Sequence, residues 1–225
     1  PLTYTQKVRA LSPIAYWPLA DTNGTTAADE SGNGRNGTYS GVTLGAPGIG
    51  DGRTAAAFDG AASFVDVYSA SLSGAFQADA GTFAIWLQVA AAGVWTDTQF
   101  RVAMSFETSG GTQFYMQRDT TNNRIQVGRF SGASLNLNGL SSLGWLHVAM
   151  TWSVVANQCI AYLGGSAVGS PVAIATKTSG LNSARARIGS YAASPFQGWR
   201  GSLAHAAVFA TPLSAAQIAS LATVP

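Results

Sequence analysis

The sequence predicts an all-β domain of the sandwich or barrel type, with a short helix near each end. Short runs in which apolar side chains alternate with polar or small ones recur along most of the chain, separated by turns rich in glycine and proline. Charged residues make up only 10% of the 225 residues and hydrophobic residues 47%. This composition excludes a disordered chain and a charged coiled coil.

Capping boxes predict the two helices. The box at residues 3–6 precedes a helix over residues 4–11, and the box at residues 214–217 precedes a helix over residues 215–222. In each box a hydroxyl side chain and a glutamine stand three residues apart, so that each caps a backbone N–H of the other.

Strand patterns fill the chain between these helices. The runs over 82–89 and 145–152 alternate most clearly, and Gly164-Gly165 predicts a hairpin, because glycine adopts positive φ without steric cost. We assign four large aromatic residues on these patterns to the core, namely Tyr16, Trp17, Trp86 and Trp152. Further strands are expected at residues 14–19, 55–59, 63–68, 101–107, 112–118, 124–130, 159–163, 172–176, 185–190 and 202–209.

No linker divides these strands, so we expect one domain over residues 1–225. It has a helical arm over residues 1–13 and a closing helix over residues 213–225. No apolar stretch reaches membrane-spanning length, and we expect no membrane insertion. The first residues lack the basic and apolar regions of a signal peptide, which favours a native start without export.

Charge and chemistry-bearing residues exclude several functions. A net charge of +2 with scattered arginines argues against nucleic acid. Glu30 and Glu107 lie far apart in the sequence, whereas a retaining glycosidase needs two neighbouring carboxyl groups, so we predict that the chain is not an enzyme. His147 and His205 alternate with apolar neighbours and are expected to be structural residues with hydrogen-bond partners. Cys159 is expected to be a buried free thiol.

Several sequence blocks, in the right order, resemble the laminin-G-like, concanavalin A-like jelly rolls. They cover about residues 14–221 and include Ile-Ala-Tyr-Trp-Pro-Leu at 14–19, Asp-Glu-Ser-Gly-Asn-Gly at 29–34, Ala-Phe-Asp-Gly at 57–60, Phe-Ala-Ile-Trp-Leu at 83–87, Trp-Leu-His-Val-Ala at 145–149, Tyr-Leu-Gly-Gly at 162–165 and Gly-Trp-Arg-Gly-Ser-Leu at 198–203. The resemblance implies a jelly-roll sandwich of two antiparallel sheets. It also implies that the first and last strands pair, with the two helices side by side at one edge.

The Ala-Tyr-Trp and Leu-Ala-His motifs at the two ends are similar to versions of this domain in tailed-phage virion proteins. That likeness implies a non-enzymatic structural, decoration or fibre-type protein, assembled in the host cytoplasm and placed on the virion surface. Its partners would be other virion proteins or further copies of itself, with a contact to surface glycans. Two alternatives stay open: a secreted, extracellular carbohydrate-binding module and, more remotely, a glycosidase.

Aromatic residues in loops are the candidates for carbohydrate binding, because sugar C–H groups stack on aromatic faces beside planar hydrogen-bonding groups. They are Trp95, Tyr191, Phe196 and Trp199, with Gln197 as the amide. Each ring could instead be a lid over the sandwich core.

Calcium is a cofactor that the resemblance implies, since laminin-G-like domains often hold this ion through oxygen ligands. Asp29 and Asn33 in the segment 29–34 are the first candidates. The alternative is a loop whose side chains satisfy its own backbone. Residues 201–205 lack the acidic pair that many relatives carry there, which weakens the case for calcium.

Overall fold

A computed structural model describes residues 2–129, 133–191 and 197–224, in which strands dominate. The α-helices are α1 Tyr4–Arg9, α2 Ala70–Ala75 and α3 Ala215–Leu221, and a 3₁₀ turn spans Ala92–Trp95. The strands are β1 Ala15–Trp17, β2 Thr26–Ala27, β3 Gly37–Ser40, β4 Thr43–Pro47, β5 Thr54–Asp59, β6 Phe64–Asp66, β7 Ala80–Val89, β8 Arg101–Thr108, β9 Gln113–Arg118, β10 Ile125–Arg129, β11 Ala133–Leu137, β12 Leu146–Ser153, β13 Gln158–Leu163, β14 Ser166–Val172, β15 Leu181–Ile188 and β16 Arg200–Phe209.

The strands form two antiparallel sheets. The first sheet has the order β14-β13-β12-β7-β16-β5-β4, and β1 pairs with β16. The second sheet has the order β11-β10-β9-β8-β15-β6-β3-β2. These two sheets confirm the predicted jelly-roll sandwich. The pairing of β1 with β16 also brings the two ends of the chain together, as the resemblance implied.

Large aromatic side chains fill the space between the sheets. Phe83 of the first sheet contacts Phe106 of the second sheet edge-to-face at 5.1 Å between ring centroids, and Trp152 packs against Phe83 at the same distance. Trp17 and Trp152 are buried in this inter-sheet core, as predicted.

A second apolar cluster lies on the outer face of the first sheet. Ala84 and Trp86 of β7 point to this face, and α1 and α3 cover them with Tyr4, Ile218 and neighbouring side chains. Tyr16 is also buried in this cluster. The helices therefore lie side by side on a sheet face, and not at an edge as the resemblance implied, because the outward side chains of the central strands are apolar and need cover.

Most predicted elements are present, with shifted boundaries. The Gly164-Gly165 hairpin joins β13 to β14, with φ of 56° and 86°. Helix α2 and the strands β2, β3, β4 and β11 were not predicted, because Ala, Gly, Ser and Thr make up most of their residues and leave little apolar pattern. The strand expected at 172–176 is wrong, since β14 ends at Val172 and an irregular segment follows. Within the described ranges, the helices are all too short to cross a bilayer.

Candidate functional site

The outer face of the second sheet carries polar side chains along several neighbouring strands. Each strand turns one set of side chains into the inter-sheet core, and its other set points outward. The outward set includes Thr38, Ser40, Phe64, Asp66, Glu107, Gln113, Gln117, Gln126, Asn136, Ser183 and Arg185. Two pockets lie among these residues, which makes this face the candidate site.

The first pocket, here called the Glu107 pocket, has a volume of about 390 Å³. Its lining residues are Phe100, Glu107, Gly111, Gln113, Gln117, Tyr191 and Gln197. The Tyr191 hydroxyl donates to Glu107 Oε2 at 2.6 Å, and the Arg185 guanidinium lies 3.6 Å from the same oxygen. Arg185 also lies over the Tyr191 ring, 4.7 Å from its centroid. Burial and the contact with Glu107 raise the pKa of Tyr191, which keeps this hydroxyl protonated.

Amide side chains extend from this pocket across the sheet. Gln113 Nε2 donates to Ser105 Oγ at 2.9 Å, while Gln117 Nε2 donates to Gln126 Oε1 at 3.3 Å. Gln126 in turn donates to Asn136 Oδ1 at 3.4 Å. An amide carries both donors and acceptors, so this row offers the mixed hydrogen bonding that hydroxyl-rich ligands need.

The second pocket, here called the Phe64 pocket, has a volume of about 420 Å³ and lies over β3 and β6. It is lined by Asn36, Thr38, Ser40, Phe64, Asp66, Tyr68 and Ser183. The guanidinium of Arg187 lies 4.0 Å from the Phe64 ring centroid and 3.8 Å from Asp66 Oδ2, so it holds an aromatic ring and a carboxylate side by side.

The structure divides the predicted carbohydrate residues. Tyr191 and Gln197 line the Glu107 pocket, and Phe196 lies outside the described residues. Trp95 and Trp199 are 1% and 0% exposed, and their Nε1 atoms donate to the carbonyls of Ser142 and Gln88. These two rings are therefore buried and close the core, so the prediction that they are exposed stacking surfaces is wrong.

Sequence reasoning missed the pocket residues that lie on strands. Phe100, which is 40% exposed, comes just before β8, while Glu107, Gln113 and Gln117 point outward from β8 and β9. The alternation of Gln113, Tyr115 and Gln117 with buried neighbours was the available signal. Loop position does not select these residues, because they lie on strands.

The calcium candidates do not fit a metal site. Asp29 Oδ1 accepts from the backbone amides of Tyr16 and Ser31, both at 2.9 Å. Asp29 Oδ2 accepts from Ser31 Oγ and from the Arg35 amide, both at 2.8 Å. Asn33 turns its amide nitrogen, and not its oxygen, toward the carbonyl groups of Pro13 and Ile14, just before β1. No cluster of three acidic, histidine or cysteine side chains occurs in the described part of the chain. The loop is self-satisfied, as the Asx-turn alternative requires.

Both histidines lie on the covered face of the first sheet, away from the two pockets. His205 has the predicted hydrogen-bond partners, since its Nδ1 lies 2.7 Å from the Tyr16 hydroxyl and its Nε2 lies 3.1 Å from Asp51 Oδ2. His147 departs from the prediction, because among the described residues neither of its ring nitrogens has a partner. Cys159 is buried and free, as predicted.

The comparison with protein families decides the relationship. Residues 73–219 match the model of the concanavalin A-like lectin/glucanases superfamily, which is more than half of the chain. The chain belongs to this superfamily. A comparison with curated sequences gave no match.

Solved structures share the fold at low identity. The sialidase of Trypanosoma rangeli in complex with the inhibitor DANA is 11% identical with a TM-score of 0.67, covering 92% of this chain and 32% of the sialidase. This chain thus spans about a third of the sialidase's length. Domain 4 of AbnA, a GH43 extracellular arabinanase of Geobacillus stearothermophilus, in complex with arabinotriose, is 15% identical with a TM-score of 0.61, covering 94% of this chain and 98% of that domain. The receptor-binding domain of botulinum neurotoxin mosaic serotype C/D is 12% identical with a TM-score of 0.66, covering 96% of this chain and 51% of the toxin domain.

Proposed function

We propose that this superfamily member is a non-enzymatic glycan-binding protein whose ligand lies on the outer face of the second sheet. The observation that carries the proposal is the presence of two pockets on one polar sheet face, each combining an aromatic ring with hydrogen-bonding side chains. An aromatic ring accepts the C–H face of a sugar, and the amides and hydroxyls beside it pair with sugar hydroxyl groups.

The charges in the Glu107 pocket favour a neutral ligand. Glu107 already contacts Tyr191 and Arg185, and Asn182 Nδ2 lies 3.4 Å from its Oε1. Its charge is therefore balanced inside the protein, and the groups left for a ligand are the exposed ring of Phe100 and the amides of the glutamines. A neutral polyhydroxylated chain matches this surface better than an acidic one.

The spacing of the pockets favours an oligosaccharide. The Glu107 pocket lies over β8 and β9, the Phe64 pocket over β6 and β3, and β15 runs between them. Neighbouring strands lie about 4.8 Å apart, so the pocket centres are on the order of 14 Å from each other. Ser183 lines the Phe64 pocket and Arg185 borders the Glu107 pocket, so β15 connects the two. The complex of the arabinanase domain with arabinotriose agrees with a ligand of this kind.

The positions of the carboxylates argue against glycoside hydrolysis. Asp66 pairs with Arg187, which pairs with Ser105, so Glu107 lies two strands and two residues away from Asp66. That separation is roughly 12 Å between Cα atoms. A retaining glycosidase holds its two carboxyl groups about 5–5.5 Å apart. This supports binding without catalysis.

The setting that we propose for this binding is a virion surface, with a secreted module as the alternative. The Ala-Tyr-Trp and Leu-Ala-His motifs that resemble phage virion domains adjoin in the fold, since β1 pairs with β16. The low content of charged residues suits a surface that packs against other proteins, because charged residues are depleted at interface cores. Light scattering after size exclusion tests this setting: we expect an oligomer, and a monomer at high concentration contradicts it.

A glycan array followed by calorimetry tests the binding proposal. We expect linear neutral oligosaccharides to bind, and Phe100→Ala and Gln117→Ala to weaken binding about tenfold each, since about 1.4 kcal/mol corresponds to tenfold. Ser170→Ala on the edge strand β14 of the other sheet is the matched control and should bind like the unchanged chain. Binding that survives both pocket variants, or no binding to any glycan, contradicts the proposal.

A further inference from the structure

A hydrogen-bonded relay lies beneath α1 on the outer face of the first sheet. His205 contacts Asp51 through Nε2 at 3.1 Å and the Tyr16 hydroxyl through Nδ1 at 2.7 Å. The Tyr16 hydroxyl lies 3.3 Å from Thr5 Oγ1, and Arg53 Nη1 donates to that same oxygen at 2.9 Å. Since Thr5 is part of α1, the relay connects the buried histidine directly to the helix.

The direction of each bond in the relay follows from its members. A carboxylate only accepts, so the Nε2 of His205 carries the proton and Nδ1 is left as an acceptor for Tyr16. A protonated ring would donate from Nδ1 as well, which would reverse the Tyr16 hydroxyl toward Thr5. The Thr5 oxygen already accepts from Arg53. With a neutral His205 the Tyr16 hydroxyl donates to Nδ1, whereas protonation of the ring would turn it toward the second lone pair of Thr5 Oγ1.

The backbone at His205 is unusual. Its φ is +53°, and the pairing of β16 with β7 shifts register between Ala204 and Ala207. A non-glycine residue at positive φ is uncommon, and bulges redirect side chains. Here the bulge turns His205 outward against α1, where the Tyr4 ring lies 4.4 Å from the imidazole.

His147 lies beside the bonds that hold both helices. Its ring is 1% exposed and packs edge-on against Trp86 at 5.2 Å between centroids. Trp86 Nε1 donates to the Tyr4 hydroxyl at 2.8 Å, and that hydroxyl donates to the carbonyl of Leu221 in α3 at 2.7 Å. Within the described residues no group accepts from or donates to the His147 ring, so nothing stabilises its charged form.

We propose that this cluster is an acid-sensitive latch, in which protonation of His147 and His205 releases α1 and α3 from the first sheet while the inter-sheet core stays folded. Both histidines lie between the first sheet and the two helices. Once the helices are released, the apolar side chains of the central strands would be exposed. The inference does not depend on glycan binding.

The surroundings of the two histidines keep them neutral. Burial lowers the pKa of His205, although the contact with Asp51 opposes this effect. Burial, together with His205, lowers the pKa of His147 to about 3. The titratable and charged groups around the pair are Tyr4 of α1, Tyr16 of β1, Glu30, Asp51 and Arg53 from the segments before β3 and β5, and Tyr162 on β13.

The inter-sheet core does not share this sensitivity. Among the buried apolar side chains described between the sheets, the titratable groups are those of Tyr39 and Cys159. Burial raises the pKa of its titratable groups, Tyr39 and Cys159, so that both stay uncharged at and below neutral pH. Acid therefore acts on the helix layer before it acts on the sandwich.

The sign of the effect follows from the direction of the shifts. A histidine whose pKa is lowered in the folded state stabilises that state above about pH 6.5, and this contribution is lost as the pH falls below that value. If release returns His147 from a pKa of about 3 to the ordinary 6.5, the docking equilibrium falls about 30-fold between pH 7.5 and pH 5.

Residue-resolved amide hydrogen exchange, corrected for the intrinsic rate, tests the latch at pH 7.5, 6.0 and 5.0. We expect the protection of α1 and α3 to fall about 30-fold or more by pH 5, while β8 and β9 of the second sheet keep theirs. Equal protection of the helices at all three pH values overturns the proposal. So does a simultaneous loss of protection in β8 and β9, which would mean global unfolding.

Two substitutions assign the response to the histidines. His147→Phe replaces the ring without a titratable group, and His205→Asn keeps a residue that tolerates positive φ. In the double variant we expect helix protection that no longer changes with pH, and a surviving response contradicts the assignment. Should the double variant not fold, the Cε1–H resonance of His147 in the unchanged chain decides. Titration near pH 6.5 with the helices still protected overturns the latch.

Discussion

The outer faces of the two sheets differ in what lies on them. On the first sheet, Trp86 and its apolar neighbours are covered by α1 and α3, and two histidines are buried in the same layer. On the second sheet, the outward residues of β8 and β9 are two glutamines, a glutamate, a serine and the buried Tyr115, and two pockets lie on this face. On both sheets the side chains alternate between the core and the outer face. The polarity of the outward side chains decides whether the face is covered by helices or stays open.

This difference separates stability from recognition within one sandwich. A covered apolar face contributes free energy of folding through burial, roughly 25 cal/mol for each Å² removed from water. A polar face that stays open contributes little to folding and is available to a ligand. Substitutions on the first face should therefore change stability, and substitutions on the second should change binding alone.

The largest effect is expected from shortening a covered side chain. Trp86→Ala removes a buried indole and its hydrogen bond to Tyr4, and we expect the free energy of unfolding to fall by about 3–5 kcal/mol. Thr38→Ala shortens an exposed side chain on the open face and should change it by no more than about 0.5 kcal/mol. Urea denaturation at pH 7.5 measures both. A loss of similar size in the two variants would break the distinction between the faces.

The sequence predicts the elements of the first sheet and the helices that cover it. The alternation over 82–89 and 145–152 predicted strands β7 and β12, and the capping boxes predicted α1 and α3. The same patterns could not show that the helices lie on the sheet face, because that position depends on contacts such as Tyr4 with Leu221, which are 217 residues apart. Local periodicity contains no information on such pairs.

The candidate site was harder to predict for a related reason. Trp95 and Trp199 stand in loops, which suggested exposure, but each indole N–H finds a backbone carbonyl and the ring closes the core. The pockets instead combine side chains from β3, β6, β8 and β9 with Tyr191, and strand order brings these together. Of these features, the sequence alone shows only the alternation of polar side chains along β9.

A smaller effect is expected at the Glu107 pocket, and in binding alone. Tyr191→Phe removes the hydroxyl that donates to Glu107, so the carboxylate loses one of its partners and the pocket its fixed geometry. We expect oligosaccharide affinity to fall about fivefold, the equivalent of about 1 kcal/mol, with an unchanged melting temperature. Calorimetry paired with a thermal melt measures both quantities. A lower melting temperature with unchanged affinity would place Tyr191 with the structural residues of the covered face.

The smallest effect concerns calcium, which we expect to act on neither face. Four donors already occupy the Asp29 carboxylate, three of them backbone amides, so an ion would have to displace bonds that the protein itself supplies. An ion bound only to the folded state raises its stability by RT ln(1 + [L]/Kd), which would appear as a higher melting temperature. We therefore expect melting curves with calcium and with chelator to agree within about 1 °C, given that about 1 kcal/mol corresponds to a few degrees for a domain of this size.

A rise of several degrees would show that the loop rearranges around the ion, and Asp29→Asn would then have to abolish that rise. Without such a rise, the same variant should destabilise the chain equally with and without calcium. It replaces one acceptor oxygen by an NH2 group. That group then faces donors, which are either the amides of Tyr16 and Ser31 or the Ser31 hydroxyl and the Arg35 amide.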